Sequence, residues 1–266
     1  MKAFYLNSIN EKSVHKNLAK EEALAVNASV EEIDFGLRFW KNKESIVLGI
    51  SDSASKNIPD SIIQNFIDTN HSNKIEIARR ASGGGTVYHN FYNLNYSLFV
   101  NVKKYPKYYP VASSYKLLLD LVVQSLKSQG IDSVMAGKSD ISIEKDNRLK
   151  KISGNSQFRK KNFLVLHGTL ILSPKLIQKA KSVLKHPPEE PEYRKGRSHE
   201  EFLTNLPENF SVSEFMKSLK RIFFNEFSEN MEMEKLNTDF FRKTIQSSRE
   251  LCKTKYSNKD FIFNRQ

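Results

Sequence analysis

The sequence predicts a fold of the α+β class, in one large domain or in one domain with a small appendage. Strand-like segments lie in the first half and the middle of the 266-residue chain, at 45–50, 74–79, 94–102 and 163–172. Helical segments flank them, at 16–28, at 113–129, after Pro174 and from Ser211 onwards. Strands and helices do not alternate regularly, so a doubly wound parallel sheet is not expected.

The first predicted helix covers residues 16–28, KNLAKEEALAVNA, because Ala, Leu and Glu favour helices. Its apolar residues fall on neighbouring turns: Leu18, Ala19, Ala23 and Val26. Residues 45–50, SIVLGI, predict a buried strand that ends near Gly49. Residues 74–79 predict a short strand that leads into a run of glycines.

The middle of the chain predicts two strands and a helix. Residues 94–102, LNYSLFVNV, alternate with a period of two, which is typical of a strand. Residues 113–129 predict a helix with a stripe of apolar residues, and Gly130 supplies its C-terminal stop. Residues 163–172, FLVLHGTLIL, are apolar on both faces and predict a central strand covered on each side.

Towards the C-terminus, a helix after Pro174 is expected to end at His186. Residues 187–200 are rich in proline and charge and predict an exposed loop. The last clear helix begins at Ser211, with Glu214 three residues later as a capping box.

Composition excludes several classes of site. A single cysteine, Cys252, allows neither an internal disulfide nor a cluster of cysteine zinc ligands. The N-terminal residues lack a signal-peptide pattern and no apolar run is long enough to span a membrane, so a reduced, cytoplasmic protein is predicted. The net charge of +12 is dispersed. Its densest patches, at 103–107, 148–151 and 159–161, are typical of a lysine-rich solvated surface.

The most informative segment is residues 79–89, RRASGGGTVYH. Three successive glycines leave backbone N–H groups open to a ligand, and such amide arrays bind anions. Arg79 and Arg80 add positive charge that suits phosphate or carboxylate oxygens. Glycines alone would indicate a turn, but the arginines before them and the alternating strand after them favour an anion-binding loop. The contiguous glycines match neither a Walker P-loop nor a Rossmann fingerprint.

Two further segments carry candidate chemistry: GKSD at 137–140, and KISGN at 151–155 followed by HGT at 167–169. Asp140 is a candidate Mg²⁺ ligand, because a hard cation prefers carboxylate oxygen and bridges to phosphates. Lys151 is a candidate for neutralising charge on a phosphoryl or carboxylate group. Taken alone, each is typical of a surface charge, and His167 alone is typical of a core histidine.

In this order and spacing, the segments resemble the lipoate–protein ligase A family, within the biotin/lipoate ligase superfamily. The family's pattern R-R-x-S-G-G-G-x-V-x-H matches residues 79–89. Its N-L-N-x-S, G-x-x-D, K-x-S-G and H-G-T elements are matched at 93–97, 137–140, 151–154 and 167–169. A weaker resemblance runs from Asn17 to Tyr256, over most of the chain.

The resemblance implies a mixed β-sheet flanked by helices, in a single catalytic domain over residues 1–266 that lacks the C-terminal accessory domain of some relatives. It also implies two steps: lipoate and MgATP give lipoyl-adenylate and pyrophosphate, and the lipoyl group then passes to a carrier lysine. Lys151 is the implied catalytic residue, and Asp140 would place Mg²⁺. The implied ATP-binding residues are Arg80, Gly83, Gly84, Gly85, Thr86, Val87, Tyr88, Asp140 and Lys151. The implied lipoate-binding residues are Arg79, Ser82, Gly84, His89, Lys151, Ser153, Gly154 and His167.

The implied partner is an acidic lipoyl carrier domain, of the dehydrogenase-complex acyltransferase or glycine-cleavage H protein type. A separate accessory protein is a further possible partner, whereas neither a membrane nor nucleic acid is expected. A basic enzyme surface, for instance at Lys103, Lys104 and Lys107, would steer an acidic carrier.

The sequence departs from the family in two places. Asn90 and Tyr92 stand where the family often has Asp and Gly, and residues 50–53 depart from the common G-R-x-Q-N continuation after Gly49. These departures leave the acyl specificity open more than the reaction type.

Two alternative functions stay open. An octanoyl or lipoyl transferase moves acyl groups between carrier proteins through a cysteine nucleophile, but Cys252 lies outside every motif. A non-catalytic basic module, for instance one that binds nucleic acid, would explain the charge of +12 and the interleaved Lys and Tyr at 103–109. Pyrophosphate release with lipoate and ATP distinguishes a ligase from such a module.

Overall fold

The computed structural model describes residues 1–68, 75–227 and 238–264. The strands are β1 (Ala3–Ser8), β2 (Phe35–Trp40), β3 (Ser45–Leu48), β4 (Glu76–Arg79), β5 (Val87–His89), β6 (Asn93–Asn101), β7 (Ser133–Ala136), β8 (Asp140–Lys145), β9 (Arg148–Lys160) and β10 (Phe163–Ile171). The helices are α1 (Val14–Val30), α2 (Ala54–Asn57), α3 (Asp60–Ile67), α4 (Val111–Lys127), α5 (Pro174–Val183), α6 (His199–Phe202), α7 (Val212–Phe227), α8 (Thr238–Leu251) and α9 (Lys259–Phe263).

The strands form two mixed sheets. The larger has seven strands in the order β1-β2-β6-β10-β9-β8-β7, and the smaller has three in the order β4-β3-β5. In the larger sheet β1 and β2 are parallel and the other neighbours are antiparallel. In the smaller sheet β3 is parallel to β4 and antiparallel to β5. The predicted α+β class, with mixed sheets flanked by helices, is confirmed.

Helices cover both faces of the larger sheet. On one face α4 and α7 pack against the alternating apolar residues of β2, β6 and β10 and close the main core. On the opposite face α1 and α8 pack against aromatic residues of β6, β9 and β10. The smaller sheet joins this second face beside the N-terminal half of α1, through the cluster that contains Leu18, Trp40 and Val47.

The predicted strands and helices agree with the structure to within a few residues. Helix α1 begins at Val14, because the Ser13 side chain accepts from the Lys16 N–H and caps it. After α4, Gly130 adopts a φ of +76°, which ends the helix as its residue type predicts. Before α7, Ser211 Oγ accepts from the Glu214 N–H at 3.3 Å. Of the strand predicted at 74–79, residue 74 lies outside the described residues.

Two features of the structure go beyond what the sequence predicted. The alternation in β6 is typical of a half-exposed strand, but every residue of β6 is buried, because α1 and the smaller sheet cover its polar face. Residues 187–200 were predicted as an exposed loop. Most of these residues are exposed, as predicted, but they include a 3₁₀ turn, Glu192–Arg194, in which Arg194 is buried against Glu190 and the ring of Phe202.

Candidate active site

A cavity of about 900 Å³ lies between the larger sheet and a wall made by α1, β3 and the glycine loop. Its floor is a row of paired positions on five neighbouring strands: Trp40, Asn95, Thr169, Gly154 and Asp140. Paired positions point their side chains to the same face, so the row is continuous and spans about 19 Å at the usual strand spacing. We refer to its two ends as the Asp140 end and the Trp40 end.

The glycine loop forms one wall through Gly84 and Gly85. Gly84 has a φ of +81°, a conformation that side chains with a Cβ rarely adopt. The adjacent Gly49 is equally constrained, because a Cβ there would overlap the carbonyl oxygen of Gly84. Gly83 is held by a hydrogen bond from Ser156 Oγ to its carbonyl, at 2.8 Å. Close packing and this hydrogen bond therefore fix the backbone conformation of the loop.

Arg80 holds this loop from inside the protein. Its guanidinium donates to the carbonyls of Gly83 and Gly85, at 2.6 and 2.9 Å, and to that of Val47 at 3.2 Å. Burial lowers the pKa of Arg80 to about 10, against the opposing effect of the charge of Asp52. Arg80 thus stays cationic at neutral pH and adds positive potential beside the loop.

Arg79 points the other way, since successive side chains on a strand face opposite sides. Its guanidinium donates to the carbonyls of Gly49, Asp52 and Ile262, at 2.7, 2.7 and 2.6 Å. Arg79 is completely buried and does not line the cavity. In the structure it ties the C-terminal helix α9 to the smaller sheet.

Lys151 and Asp140 form an ion pair of 2.9 Å at the Asp140 end. Tyr193, from the segment after α5, donates to the second carboxylate oxygen of Asp140 at 2.8 Å. Burial and the charge of Asp140 raise the pKa of Tyr193, so its phenol stays protonated as a donor. Gly154 leaves room for the lysine, because a Cβ there would stand 2.7 Å from Lys151 Nζ.

A metal at this end would rely on Asp140. The described residues contain no group of three or more His, Cys, Asp or Glu side chains that could hold an ion. One carboxylate suits Mg²⁺, which commonly binds one or two carboxylates together with water and substrate phosphates. The donor set therefore fits a Mg²⁺ that is carried mainly by a nucleotide, but not a site built wholly from protein groups.

His167 belongs to a buried chain of hydrogen bonds. Its Nδ1 lies 2.8 Å from Glu21 Oε2 on α1, and its Nε2 lies 2.6 Å from Ser82 Oγ in the glycine loop. Ser97 donates to the other oxygen of Glu21 at 2.6 Å. Burial acts to raise the pKa of Glu21, but the attraction and hydrogen bonds of His167 and Ser97 outweigh it and lower the pKa. Glu21 is thus a buried carboxylate that anchors the loop through His167.

His89 lies towards the Trp40 end, where a second chain of hydrogen bonds fixes its tautomer. Arg38 donates to Asn17 Oδ1, so the Asn17 amide group donates to Asn42 Oδ1, at 2.9 Å. The Asn42 amide nitrogen, 3.0 Å away, then donates to His89 Nδ1. Burial and the charge of Arg80 lower the pKa of His89 to about 3, so the ring is neutral. The single ring proton must therefore sit on Nε2.

The structure brings most of the predicted site residues to this cavity. Those that line it are Arg80, Gly84, Gly85, Val87, His89, Asp140, Lys151, Gly154 and His167. Gly83 lines a smaller adjoining cavity. Those that line neither cavity are Arg79, Ser82, Thr86, Tyr88 and Ser153. Of these, Thr86 donates to Asp52 at 2.6 Å and Tyr88 donates to Glu44 at 2.8 Å, so both brace the loop and its strand.

Sequence reasoning did not name as site residues four that the structure places in or beside the cavity: Trp40, Asn95, Glu21 and Tyr193. Of these, only Asn95 belongs to a matched element, N-L-N-x-S at 93–97. The lone tryptophan of the chain was the available signal for Trp40.

The lysines proposed to steer the carrier do not line the cavity. They follow the C-terminal end of β6, whereas Asn95 lies near its N-terminal end. Lys104 forms an ion pair with Asp34 at 3.0 Å, and Lys107 forms one with Glu226 at 2.7 Å.

Among the described residues, no helix combines the length and the apolar character that crossing a membrane would need.

Comparison with known proteins identifies the family of this chain. The lipoyl protein ligase A/B catalytic domain matches residues 13–228. Lipoate–protein ligase 1 of Staphylococcus aureus is 30% identical over 255 residues, which cover 91% of this chain and 71% of that protein.

Two solved structures share the fold. One is the bipartite lipoate protein ligase of Thermoplasma acidophilum, from a study that includes its E2 lipoyl domain. Its TM-score is 0.74 at 22% identity, over 98% of this chain and 96% of that chain. The other is lipoate-protein ligase A bound with ATP, with a TM-score of 0.69 at 22% identity, over 98% of each chain. Because the family match covers most of the sequence, the chain belongs to the lipoyl protein ligase A/B catalytic domain family.

Proposed function

We propose that this enzyme, a lipoate–protein ligase by family, activates lipoate with ATP and then transfers the lipoyl group to a lysine of a lipoyl carrier domain. The observation that carries the proposal is one continuous cavity with two unlike ends. An ion-paired lysine and a braced glycine loop supply charge and amide donors, and the Trp40 end supplies apolar surface. A nucleotide phosphate and an acyl carboxylate can thus meet beside Lys151, while the acyl chain extends along the floor.

In the first step, the lipoate carboxylate attacks the α-phosphate of ATP, pyrophosphate leaves, and a mixed acyl phosphate anhydride forms. The ammonium group of Lys151 lies where negative charge grows on the carboxylate and the phosphoryl oxygens, and it neutralises that charge. The loop amides at Gly84 and Gly85 bind phosphate oxygens. The buried charge of Arg80 supports this potential, although its N–H groups are engaged by carbonyl oxygens.

Asp140 is the residue that would hold Mg²⁺ in this reaction. The metal, when bound, supplies neutralisation of phosphate charge. Tyr193 and Lys151 already contact both carboxylate oxygens, at 2.8 and 2.9 Å, and hold the group at the Asp140 end.

In the second step, the ε-amine of the carrier lysine attacks the acyl carbonyl, the bond to the phosphate oxygen breaks, and AMP leaves. The amine loses one proton and an amide forms. The enzyme contributes no nucleophile, so it accelerates transfer by holding the anhydride and the amine in register.

Incubation with MgATP, lipoate and a purified lipoyl carrier domain tests the proposal. We expect pyrophosphate release that requires lipoate, and a carrier mass that increases by one lipoyl group. Use of this chain alone also tests whether residues 1–266 act as one catalytic domain without an accessory protein. Absence of lipoate-dependent pyrophosphate release would contradict the proposed function.

Replacing Cys252 with serine is expected to leave acyl transfer to the carrier unchanged. Cys252 lies beyond α8, outside both cavities, and its Sγ is 3.6 Å from Ser257 Oγ. A thiol outside the cavity cannot receive the acyl group. The measurement is carrier lipoylation by mass spectrometry for both forms. Loss of transfer in Cys252→Ser, with an acyl thioester on the unmodified protein, would instead support an acyltransferase.

A further inference from the structure

Asn95 is buried at the cavity floor with an amide nitrogen that no described residue pairs. The side chain is 1% exposed, and its Nδ2 has no hydrogen-bond partner within the described part of the chain. A buried donor without an acceptor is rare in folded proteins and points to a functional demand. Since Asn95 lines the cavity, the acceptor is expected to be part of a ligand.

The orientation of this amide is fixed by its neighbours. The backbone N–H of Asn90 donates to Asn93 Oδ1 at 2.8 Å, which leaves the Asn93 amide nitrogen as the donor on its other side. That nitrogen donates to Asn95 Oδ1 at 3.1 Å and to Thr169 Oγ1 at 2.9 Å. Because the oxygen of Asn95 is engaged by a donor, a flipped amide would place two NH₂ groups against each other. The Asn95 N–H groups must therefore remain on the unpaired side.

The cavity lining at the Trp40 end, where Asn95 lies, is mainly apolar. It lies three strand positions from Asp140 along the floor, which is about 14 Å. The nearby lining consists of Leu18, Trp40, Val47 and Val87. The Trp40 indole nitrogen is already engaged, since it donates to Ser97 Oγ at 2.8 Å. Such an environment disfavours a triphosphate and accepts a hydrocarbon chain, and its neutral N–H donors are the Asn95 amide and His89 Nε2.

We propose that Asn95 recognises a hydrogen-bond acceptor near the distal end of the acyl chain and so selects lipoate over an unsubstituted acid of the same length. This inference rests on the proposed function and assigns the acyl specificity that the sequence left open. Lipoate and octanoate share an eight-carbon chain, but only lipoate carries sulfur, at carbons 6 and 8. Octanoate would leave the buried Asn95 N–H without an acceptor, whereas a ring sulfur of lipoate accepts weakly.

The experiment measures kcat/KM for pyrophosphate release with lipoate and with octanoate. We expect wild type to prefer lipoate by about threefold to tenfold, the range of one modest hydrogen bond. In Asn95→Leu, which is similar in size but cannot donate, the ratio is expected to fall to about one, with the KM for ATP unchanged. Asn95→Ala is the second variant in case leucine prevents folding.

A matched control and a third acid sharpen the test. Asn101 lies on the same face of β6 and donates to the Ile33 carbonyl at 3.0 Å, away from the cavity. Asn101→Ala is therefore expected to keep the wild-type ratio even if its stability falls. An octanoate analogue with a ketone oxygen at carbon 6 offers a stronger acceptor. We expect it to outperform octanoate in wild type but not in Asn95→Leu.

The outcomes separate the two proposals. An unchanged ratio of lipoate to octanoate in both Asn95 variants would overturn the role of Asn95 and leave the ligase function intact. A selective rise in the KM for ATP would overturn it as well, because the amide would then contact the nucleotide. If neither acid supports pyrophosphate release in wild type, the proposed function itself fails.

Discussion

Replacing Lys151 with alanine is expected to slow lipoate-dependent pyrophosphate release by about 100- to 1,000-fold, the effect of removing one preorganised charge-stabilising group from an active site. Lys151 contributes the cation of the Lys151–Asp140 ion pair, at 2.9 Å, inside the cavity. Its charge is needed when a carboxylate anion approaches a phosphate that is itself anionic. The measurement is single-turnover formation of adenylate, with circular dichroism as the test of folding.

Two comparisons keep this result specific. Lys150 is the neighbouring lysine but pairs with the exposed Asp146 at 2.9 Å, so Lys150→Ala is expected to retain nearly full activity. Lys151→Ala also leaves the buried Asp140 without its cation. The double variant Lys151→Ala/Asp140→Asn removes that charge, so it should regain stability while adenylation stays slow. Wild-type rates in folded Lys151→Ala would remove the lysine from the proposed mechanism.

The motif residues were recognisable from sequence because the residues within each motif are close together along the chain. The glycine run, Asp140 and Lys151 each lie in short segments with a defined order, and the fold brings them to one cavity. The motif pattern did not show, however, which role each of two adjacent residues has. Arg79 and Arg80 have the same residue type, yet the alternation of a strand sends Arg79 to the carbonyls of α9 and Arg80 to the glycine loop.

The missed residues depend on contacts between distant parts of the chain. Glu21 lies in a charged stretch of α1 that resembles a solvated helix face, and its partner His167 is 146 residues away. Asn95 belongs to the polar face of an alternating strand, and only the layer formed by α1 and the smaller sheet shows that this face is buried. Burial of a polar residue depends on tertiary packing, so the local periodicity of the sequence does not predict it.

Some missed secondary structure did have a local signal. The hairpin of β8 and β9 turns at Asp146 and Asn147, both with a φ of +56°. Two consecutive residues of this kind are the requirement of a type I′ turn, which joins strands most tightly. The sequence ISIEKDNRLKKI has the Asp-Asn pair between alternating apolar positions. The helix α8 also had a local signal, because Phe240, Phe241, Ile245 and Leu251 recur at helical spacing in an otherwise polar segment.

Replacing Glu21 with alanine is expected to lower the free energy of unfolding by about 2–4 kcal/mol, because two buried hydrogen-bond donors lose their acceptor. Glu21 is buried, and it accepts from Ser97 at 2.6 Å and contacts His167 at 2.8 Å. In the alanine variant, the Ser97 hydroxyl proton and His167 Nδ1 lose their acceptor in a buried site, although Ser97 keeps Trp40 and His167 keeps Ser82. The measurement is urea denaturation at neutral pH. Glu214→Ala, which breaks an exposed pair with Lys217, should change stability by less than about 0.5 kcal/mol.

The effect of Glu21 is expected to depend on pH with a defined sign. The folded-state pKa of Glu21 lies below its ordinary value of 4.5. The stabilisation from its charge is therefore complete above about pH 4.5 and disappears as the pH falls through the lower folded-state pKa. Glu21→Gln keeps the size of the side chain but does not ionise, so its deficit relative to wild type should shrink at acid pH. A deficit that stays constant from neutral pH into that range would show that packing, and not the carboxylate charge, is what Glu21 contributes to this part of the fold.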